Sequence, residues 1–321
     1  MSVTAASGKA LQFDIIVSDG FVLTEMAGVV DTLRIANRLA MAPMFRWRFL
    51  SAAGGSVSSP AGAVVETDPF GSRSDAQVAI VLGNADPTAS GLSVGRLIDG
   101  YTSRNITVVL MAEAASRFIK ERGCGTDHAT HWENLAVMEE QLGVEAGAQV
   151  LASQIDGIVT CAGMGAAVDL TLALIAPSVS RPMLMTIADV LLHEKIRDFG
   201  TLQPFGGKQL ALTGDGELDM CVELMQANME EPLAITEIVN LVGISSRSLE
   251  RKFRKYLGMT PNSYYRALRL HKANNLLLNT AMSVREIGLA CGFPGGFGAA
   301  YRDYFGVAPI TARRQRQNSQ T

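Results

Sequence analysis

The sequence predicts two domains of different class: an α/β layer with helices on both faces of a parallel sheet, then an all-helical domain. Three observations predict it. Short apolar runs alternate with helical patterns through the amino-terminal part. Near the carboxyl end one pattern of short helix, glycine and longer helix is written twice. The charge also changes sign between the two parts. A chain of 321 residues exceeds one typical core, and 48% hydrophobic content is ample for two.

The elements follow in order. Gln12–Val17 is a short apolar run closed by Ser18-Asp19-Gly20, a strand running into a turn. Met26, Val29, Leu33 and Ile35 then carry a helical period. Strands are expected at Phe45–Ala52, Val64–Glu66 and Gln77–Leu82, the last closed by Gly83-Asn84-Ala85-Asp86. Leu92–Tyr101 reads as helix, Ile106–Met111 as strand and Glu113–Glu121 as helix. A helix at Asn134–Leu142, a strand at Gly157–Thr160 and a helix at Met164–Ile175 complete the series. This alternation is that of a flavodoxin-like sheet, whose ligands sit beyond the carboxyl ends of the strands. The domain is placed at residues 11–202. A glycine-rich linker, Pro204-Phe205-Gly206-Gly207 to Gly214-Asp215-Gly216, is assigned to 203–216.

No run of about eighteen apolar residues appears, and the amino terminus lacks a signal peptide's basic and greasy blocks. A soluble, cytoplasmic protein without membrane contact is expected. Cys124, Cys161, Cys221 and Cys291 are scattered, so neither a metal site nor a disulfide framework is implied. No cofactor motif is present either.

The repeat lies in residues 217–316. Its first copy is Ile238-Val239-Asn240-Leu241-Val242-Gly243 with Leu249, Phe253 and Gly258. The second is Ile287-Gly288-Leu289-Ala290-Cys291-Gly292 with Phe297, Tyr301 and Gly306. Each is a helix-turn-helix pattern, at about 235–257 and 284–305. From Ser245 onward thirteen Lys/Arg face three Asp/Glu, a balance of +10, whereas residues 1–244 carry −13. A duplicated reading helix inside a basic segment implies double-stranded DNA as partner.

In the first unit Ser245 is a natural N-cap, and Leu249, Phe253 and Leu257 face inward at i, i+4, i+8. Arg247 and Arg251 share one outward face, so both can enter one major groove and read base edges. Ser245, Ser246, Lys252 and Lys255 are expected to hold phosphates. A helix from Thr260-Pro261 to about Asn279 joins the units. At ~1.5 Å per residue it spans roughly 30 Å, close to one duplex turn. The second unit departs from the first: Ala299 stands where Arg251 does, and Pro294-Gly295-Gly296 replaces the start of the reading helix. That helix should begin late, contact phosphate through Arg302, and pack through Phe297, Tyr301 and Phe305.

The chain resembles the GlxA-like branch of AraC/XylS-type transcriptional regulators, which join a PfpI-like, glutamine-amidotransferase-like domain to an AraC-type DNA-binding domain. The resemblance is carried by Glu25-Met26-Ala27-Gly28, Leu33–Arg38, Ala129-Thr130-His131-Trp132, Asp156–Gly163, Ala167–Leu170, Leu249–Phe253 and Cys291-Gly292-Phe293. It implies a promoter-bound homodimer, paired through its amino-terminal domain. Such a regulator contacts RNA polymerase, activates transcription and senses a small nitrogenous metabolite of amino-acid, betaine or carnitine type.

Enzymes of the PfpI type place a cysteine on a sharp elbow between strand and helix. Counting back from Thr130-His131-Trp132 puts that position on Met111, which has no proton to lose, and Glu113 replaces a glycine. Cys124 and Cys161 lie off the elbow, so no catalytic residue is assigned. An active PfpI-like amidase with an appended DNA-binding domain is the rival reading, and a constitutive architectural DNA binder is a third. A retired active site remains a pocket, expected from Glu25, Asn84, Met111, His131, Trp132 and Cys161. A carboxylate beside an indole suits a cationic ammonium. The competing readings are core packing for Trp132, orientation of neighbours for His131 and a helix-end charge for Glu25.

Overall fold

The computed structural model describes residues 10–318, apart from 71–74, 87–93, 124–126, 136–137, 139–149 and 204–212. The chain divides into two compact units, residues 1–203 and 204–321.

The first unit is a sheet of eight strands in the order β3-β4-β2-β1-β5-β6-β8-β7. They are β1 (Leu11–Ile16), β2 (Phe45–Ser51), β3 (Gly55–Ser58), β4 (Val64–Pro69), β5 (Val78–Val81), β6 (Thr107–Met111), β7 (Ala152–Ile155) and β8 (Ile158–Cys161). Strands β4, β2, β1, β5, β6 and β8 run parallel. The edges do not: β3 pairs antiparallel with β4, and β7 with β8. The expected all-parallel sheet is therefore mixed at both rims. Neither rim strand was read from sequence, because Gly55-Ser56-Val57-Ser58 and Ala152-Ser153-Gln154-Ile155 hold too few apolar residues to signal a strand.

Both faces are covered, which is why the central strands read as continuous apolar runs. Val78 and Ile80 of β5, and Val109 and Met111 of β6, join the core beneath α1 (Leu23–Ala40), α4 (Ala166–Ile175) and α5 (Arg181–Val190). Ala79, Val81, Val108 and Leu110 face the other way, beneath α2 (Val94–Thr102) and α3 (Ala112–Arg122). The period of two delivers alternate residues to opposite cores. Asp14 of β1 is fully buried, but Arg48 Nε donates to it at 2.7 Å and the Tyr101 hydroxyl at 2.9 Å. Of the helix expected at 134–142, residues 134, 135 and 138 are helical, and 136–137 and 139–142 lie outside the described residues. Cys124 lies outside them too.

Among the described residues the second unit is all helical: α6 (Gly216–Ala227), α7 (Ile235–Val242), α8 (Ser246–Leu257), α9 (Pro261–Asn279), α10 (Val284–Ala290), α11 (Phe297–Phe305) and α12 (Pro309–Asn318). Leu218, Val222, Met225, Ile238, Leu249, Phe253 and Leu268 form its first core. In the second repeat Phe297, Tyr301 and Phe305 stack in series, with Phe297–Tyr301 centroids at 5.7 Å and Tyr301–Phe305 at 4.6 Å.

The linker assignment needs correction at its first residue. Gln203 is buried at 1% exposure and bonded into the sheet unit, so it belongs to that unit. At the other end Asp215 caps α6 by accepting from Leu218 N at 3.1 Å. Residues 204–212 are not described.

Candidate functional site

In the first repeat, α7 ends on Gly243 at φ 78° and α8 begins one residue after its cap. The Ser245 hydroxyl accepts from Ser248 N at 3.1 Å, satisfying one of the free amides of the helix start. Leu249 and Phe253 are fully buried. Their burial fixes the rotation of α8 and leaves Ser246, Arg247 and Arg251 exposed. Arg254 sits 3.6 Å from Glu250. Lys255 lies 4.5 Å over its neighbour Tyr256's ring and bonds that hydroxyl at 3.1 Å.

Lys252 does not match its expectation as a phosphate contact. Its ammonium donates to Asp215 and lies 3.1 Å from Glu217 Oε2, both at the start of α6. The bond to Asp215 holds the lysine above its ordinary range and the carboxyl below its own. The side chain is turned inward against α6, away from the face that carries Arg247 and Arg251.

The second repeat keeps the turn and shortens the helix. Gly292 has φ 71°, and a Cβ there would lie 2.5 Å from Pro232 Cγ, so only glycine fits. The cap of α11 is Gly296 at φ 73°, with no side chain to offer. The helix has nine residues against twelve in α8. Gly298 and Ala299 are exposed at its start, followed by Arg302. These residues border a groove of about 460 Å³ lined by Arg266, Gly296, Ala299, Ala300, Arg302 and Asp303.

In the sheet unit the junction of β6 and α3 is strained. Ala112 has φ 41°, a left-handed value that alanine adopts at a cost of about 1–3 kcal/mol. Met111, counted as the elbow from sequence, has ordinary extended geometry at φ −105° and pairs with Cys161 in the sheet. The strained residue is therefore Ala112, one position later, and it presents a methyl group.

Glu25 reaches this junction from the first turn of α1. Its Oε2 accepts from Gly83 N at 2.8 Å and its Oε1 from Met164 N at 3.2 Å. Burial pushes its carboxyl up to about 7 against those two hydrogen bonds. Gly163, at φ 72°, admits it: a Cβ there would fall 2.0 Å from Glu25 Oε1 and 2.8 Å from Ala112 Cβ. Glu113 turns away to Arg117, whose Nε donates at 2.9 Å, and accepts from Asn84 N at 3.2 Å. The Asn84 side chain spans Asp19 O and Asp86 N. Cys161 is buried, and its thiol is pushed up to about 12 chiefly by that burial.

Farther along, the His131 and Trp132 rings lie 5.6 Å apart, and burial pulls the imidazole down to about 4. His131 is therefore neutral near pH 7. Trp132 N donates to Gln203 Oε1 at 2.9 Å.

Comparison with known proteins places this geometry. A family model described as a helix-turn-helix domain matches residues 238–315. The transcriptional regulator GbdR of Pseudomonas aeruginosa is 32% identical over 311 residues, covering 92% of this chain and 82% of the relative. The chain belongs to the AraC-type family of transcriptional regulators. GlxA of Rhizobium meliloti, another regulator of the helix-turn-helix type, is 28% identical across 98% of this chain and 99% of its own. The crystal structure of an AraC family regulator from Pseudomonas putida aligns with 56% of this chain and 99% of its own at 17% identity and TM-score 0.47. The carboxy-terminal unit of this AraC-type regulator is its helix-turn-helix DNA-binding domain. No described helix is long and apolar enough to cross a membrane. Among the described residues no cluster of three metal-ligating side chains occurs.

Within the regulator's sheet unit the pocket residues expected from sequence separate into two sets. Glu25, Met111 and Cys161 are sealed, at 0%, 0% and 1% exposure, so none of the three faces a ligand in this form. Asn84, His131 and Trp132 are partly exposed. Glu25 is held by Gly83 and Met164, and the Trp132 backbone amide by Gln203. Sequence reading missed Ala112 and Gln203. An alanine at positive φ leaves no signature, and a glutamine beside a glycine-rich stretch reads as linker. It also left Asp169 without a role. Its carboxylate accepts from Arg197 N at 2.7 Å and Nε at 3.0 Å, and lies 2.7 Å from His193 Nε2, anchoring the segment after α5.

Proposed function

We propose that this AraC-type protein is a ligand-responsive activator whose sheet unit is a catalytically retired PfpI-like sensor. One observation carries the reading: the elbow keeps its backbone strain at Ala112 but holds no nucleophile. Strain of this kind persists where surrounding structure enforces it, and such places cluster at ligand sites. Cys161, the nearby thiol, is buried, and that burial pushes it up to about 12, which supports binding without turnover. The rival amidase reading has no residue to attack with at that elbow.

The ligand class, a small nitrogenous metabolite, rests on the resemblance to regulators that sense amino acids, betaine or carnitine. Asn84, His131 and Trp132 are the residues assigned to it. A neutral imidazole beside an indole offers a hydrogen-bonding edge and an aromatic face, and the face suits a quaternary or primary ammonium. In the reading unit Arg247 and Arg251 contact base edges, while Ser246, Lys255 and Arg302 hold phosphates. Ser245 serves chiefly as cap, and Lys252 is withdrawn from the DNA. A homodimer through the sheet unit and contact with RNA polymerase complete the proposal.

Thermal denaturation of the full chain against amino acids, betaines and carnitine tests it. A ligand at a hundred times its Kd should stabilise by about 2.7 kcal/mol and raise the melting point accordingly. Silence across that panel would remove the ligand class. Saturable hydrolysis of glutamine or another amide would remove the retired-enzyme reading.

A further inference from the structure

The last residue of the sheet unit is bonded to both sides of the aromatic segment. Gln203 Nε2 donates to Thr130 O at 2.6 Å, and its Oε1 accepts from Trp132 N at 2.9 Å. The carboxamide thus brackets His131 through the backbone groups on each side of it. A second bond from Nε2 reaches Val150 O at 2.8 Å. The chain arrives at this residue along the sheet's rim. Phe199 O accepts from Ala152 N at 3.1 Å, Thr201 O accepts from Leu151 N at 2.8 Å, and Leu202 bridges Val150.

Thr130 also faces the elbow. Its hydroxyl donates to Ala112 O at 2.7 Å and lies 2.5 Å from Ser116 Oγ. Thr130 is fully buried and Gln203 is 1% exposed, so water does not compete for these groups. From the strained elbow to the chain's exit there is one intervening residue. A leucine or methionine at 203 could neither donate to Thr130 O nor accept from Trp132 N, whereas the carboxamide does both at once.

We propose that Gln203 is the positioning residue through which the state of the His131–Trp132 segment is passed to the connection leading into the reading unit. The proposal rests on the reading of the sheet unit as a sensor, and names how its state leaves the domain. Displacement of the aromatic pair shifts Thr130 O or Trp132 N, breaks the bracket, and frees the residue that anchors the connection. Because coupling between two sites is reciprocal, DNA bound to the reading unit must equally alter Trp132.

That reciprocity gives a test without the metabolite. The chain has two tryptophans, Trp47 and Trp132, so W47F leaves Trp132 as the reporter. The full-length W47F protein is titrated with a promoter duplex that it footprints, while Trp132 emission and acrylamide quenching are followed. The expected result is a DNA-dependent shift that Gln203→Leu abolishes while DNA affinity is retained. A Gly-Gly insertion between Gln203 and Pro204 leaves the bracket intact but lengthens the connection, and should abolish the shift too. The insertion serves if Gln203→Leu fails to fold. A shift that survives either change, or its absence from the parent protein, overturns the proposal. Failure of the sensor reading looks different: the metabolite panel would be silent while the DNA-dependent shift and its loss in Gln203→Leu remain.

Discussion

The two helix-turn-helix repeats share a scaffold and differ in what they display. Ile238 and Ile287 are both fully buried, and Phe253 and Tyr301 occupy matching interior positions at 0% and 1% exposure. Their turn glycines have φ 78° and 71°. The supporting helix of the second repeat is the better capped, with Ser283 and Glu286 bonding each other's backbone amides. Yet its reading helix begins three residues short, on a glycine cap, with Ala299 in the place of Arg251. Interior positions are constrained by several neighbours at once, whereas displayed positions are not. A repeat can therefore keep its packing while what it displays changes.

That contrast can be broken most forcefully in the interior. Phe253→Ala and Tyr301→Ala should each cost about 3–5 kcal/mol by urea denaturation of the full chain. If only the first does so, the scaffolds are not equivalent. Next in size is Arg251→Ala, expected to lose about 1–3 kcal/mol of discrimination between operator and scrambled duplex in competition binding. Salt titrations sharpen the comparison further. Arg302→Ala should lower the slope of log K against log salt by about 0.9, one phosphate's worth. Lys252→Met should leave that slope unchanged, because Asp215 and Glu217 already hold the ammonium. The smallest effect is expected from Ala299→Ser, within about 0.5 kcal/mol in operator affinity. A loss comparable with that of Arg251→Ala would make the second unit a reader after all.

Legibility followed the range of the interactions. Continuous apolar runs mark the central strands, since β5 and β6 are covered on both faces and bury consecutive residues. The rim strands β3 and β7 depend on pairing partners rather than on their own composition, so they were invisible. Arg247 and Arg251 stand exposed because Leu249 and Phe253 are buried, a relation contained within one helix. Lys252 went astray because Asp215 lies far back in the chain, beyond any local period. Glu25 is expected from sequence to line a pocket, but its complete burial follows from Gly83 and Met164, contributed by two other strand ends. The elbow itself was missed by one residue because β6 continues through Met111 to pair with Cys161.

The stretch leading to Gln203 has one more consequence. By pairing with Val150, Leu151 and Ala152 it covers the start of a sheet margin whose amides and carbonyls would otherwise be open to any passing strand. A fragment of the amino-terminal half trimmed back to the end of α5 would bare that margin and stick to its own kind. One carried through residue 203 would keep the start of that margin covered, so the boundary chosen for dissection should set how far the fragment self-associates.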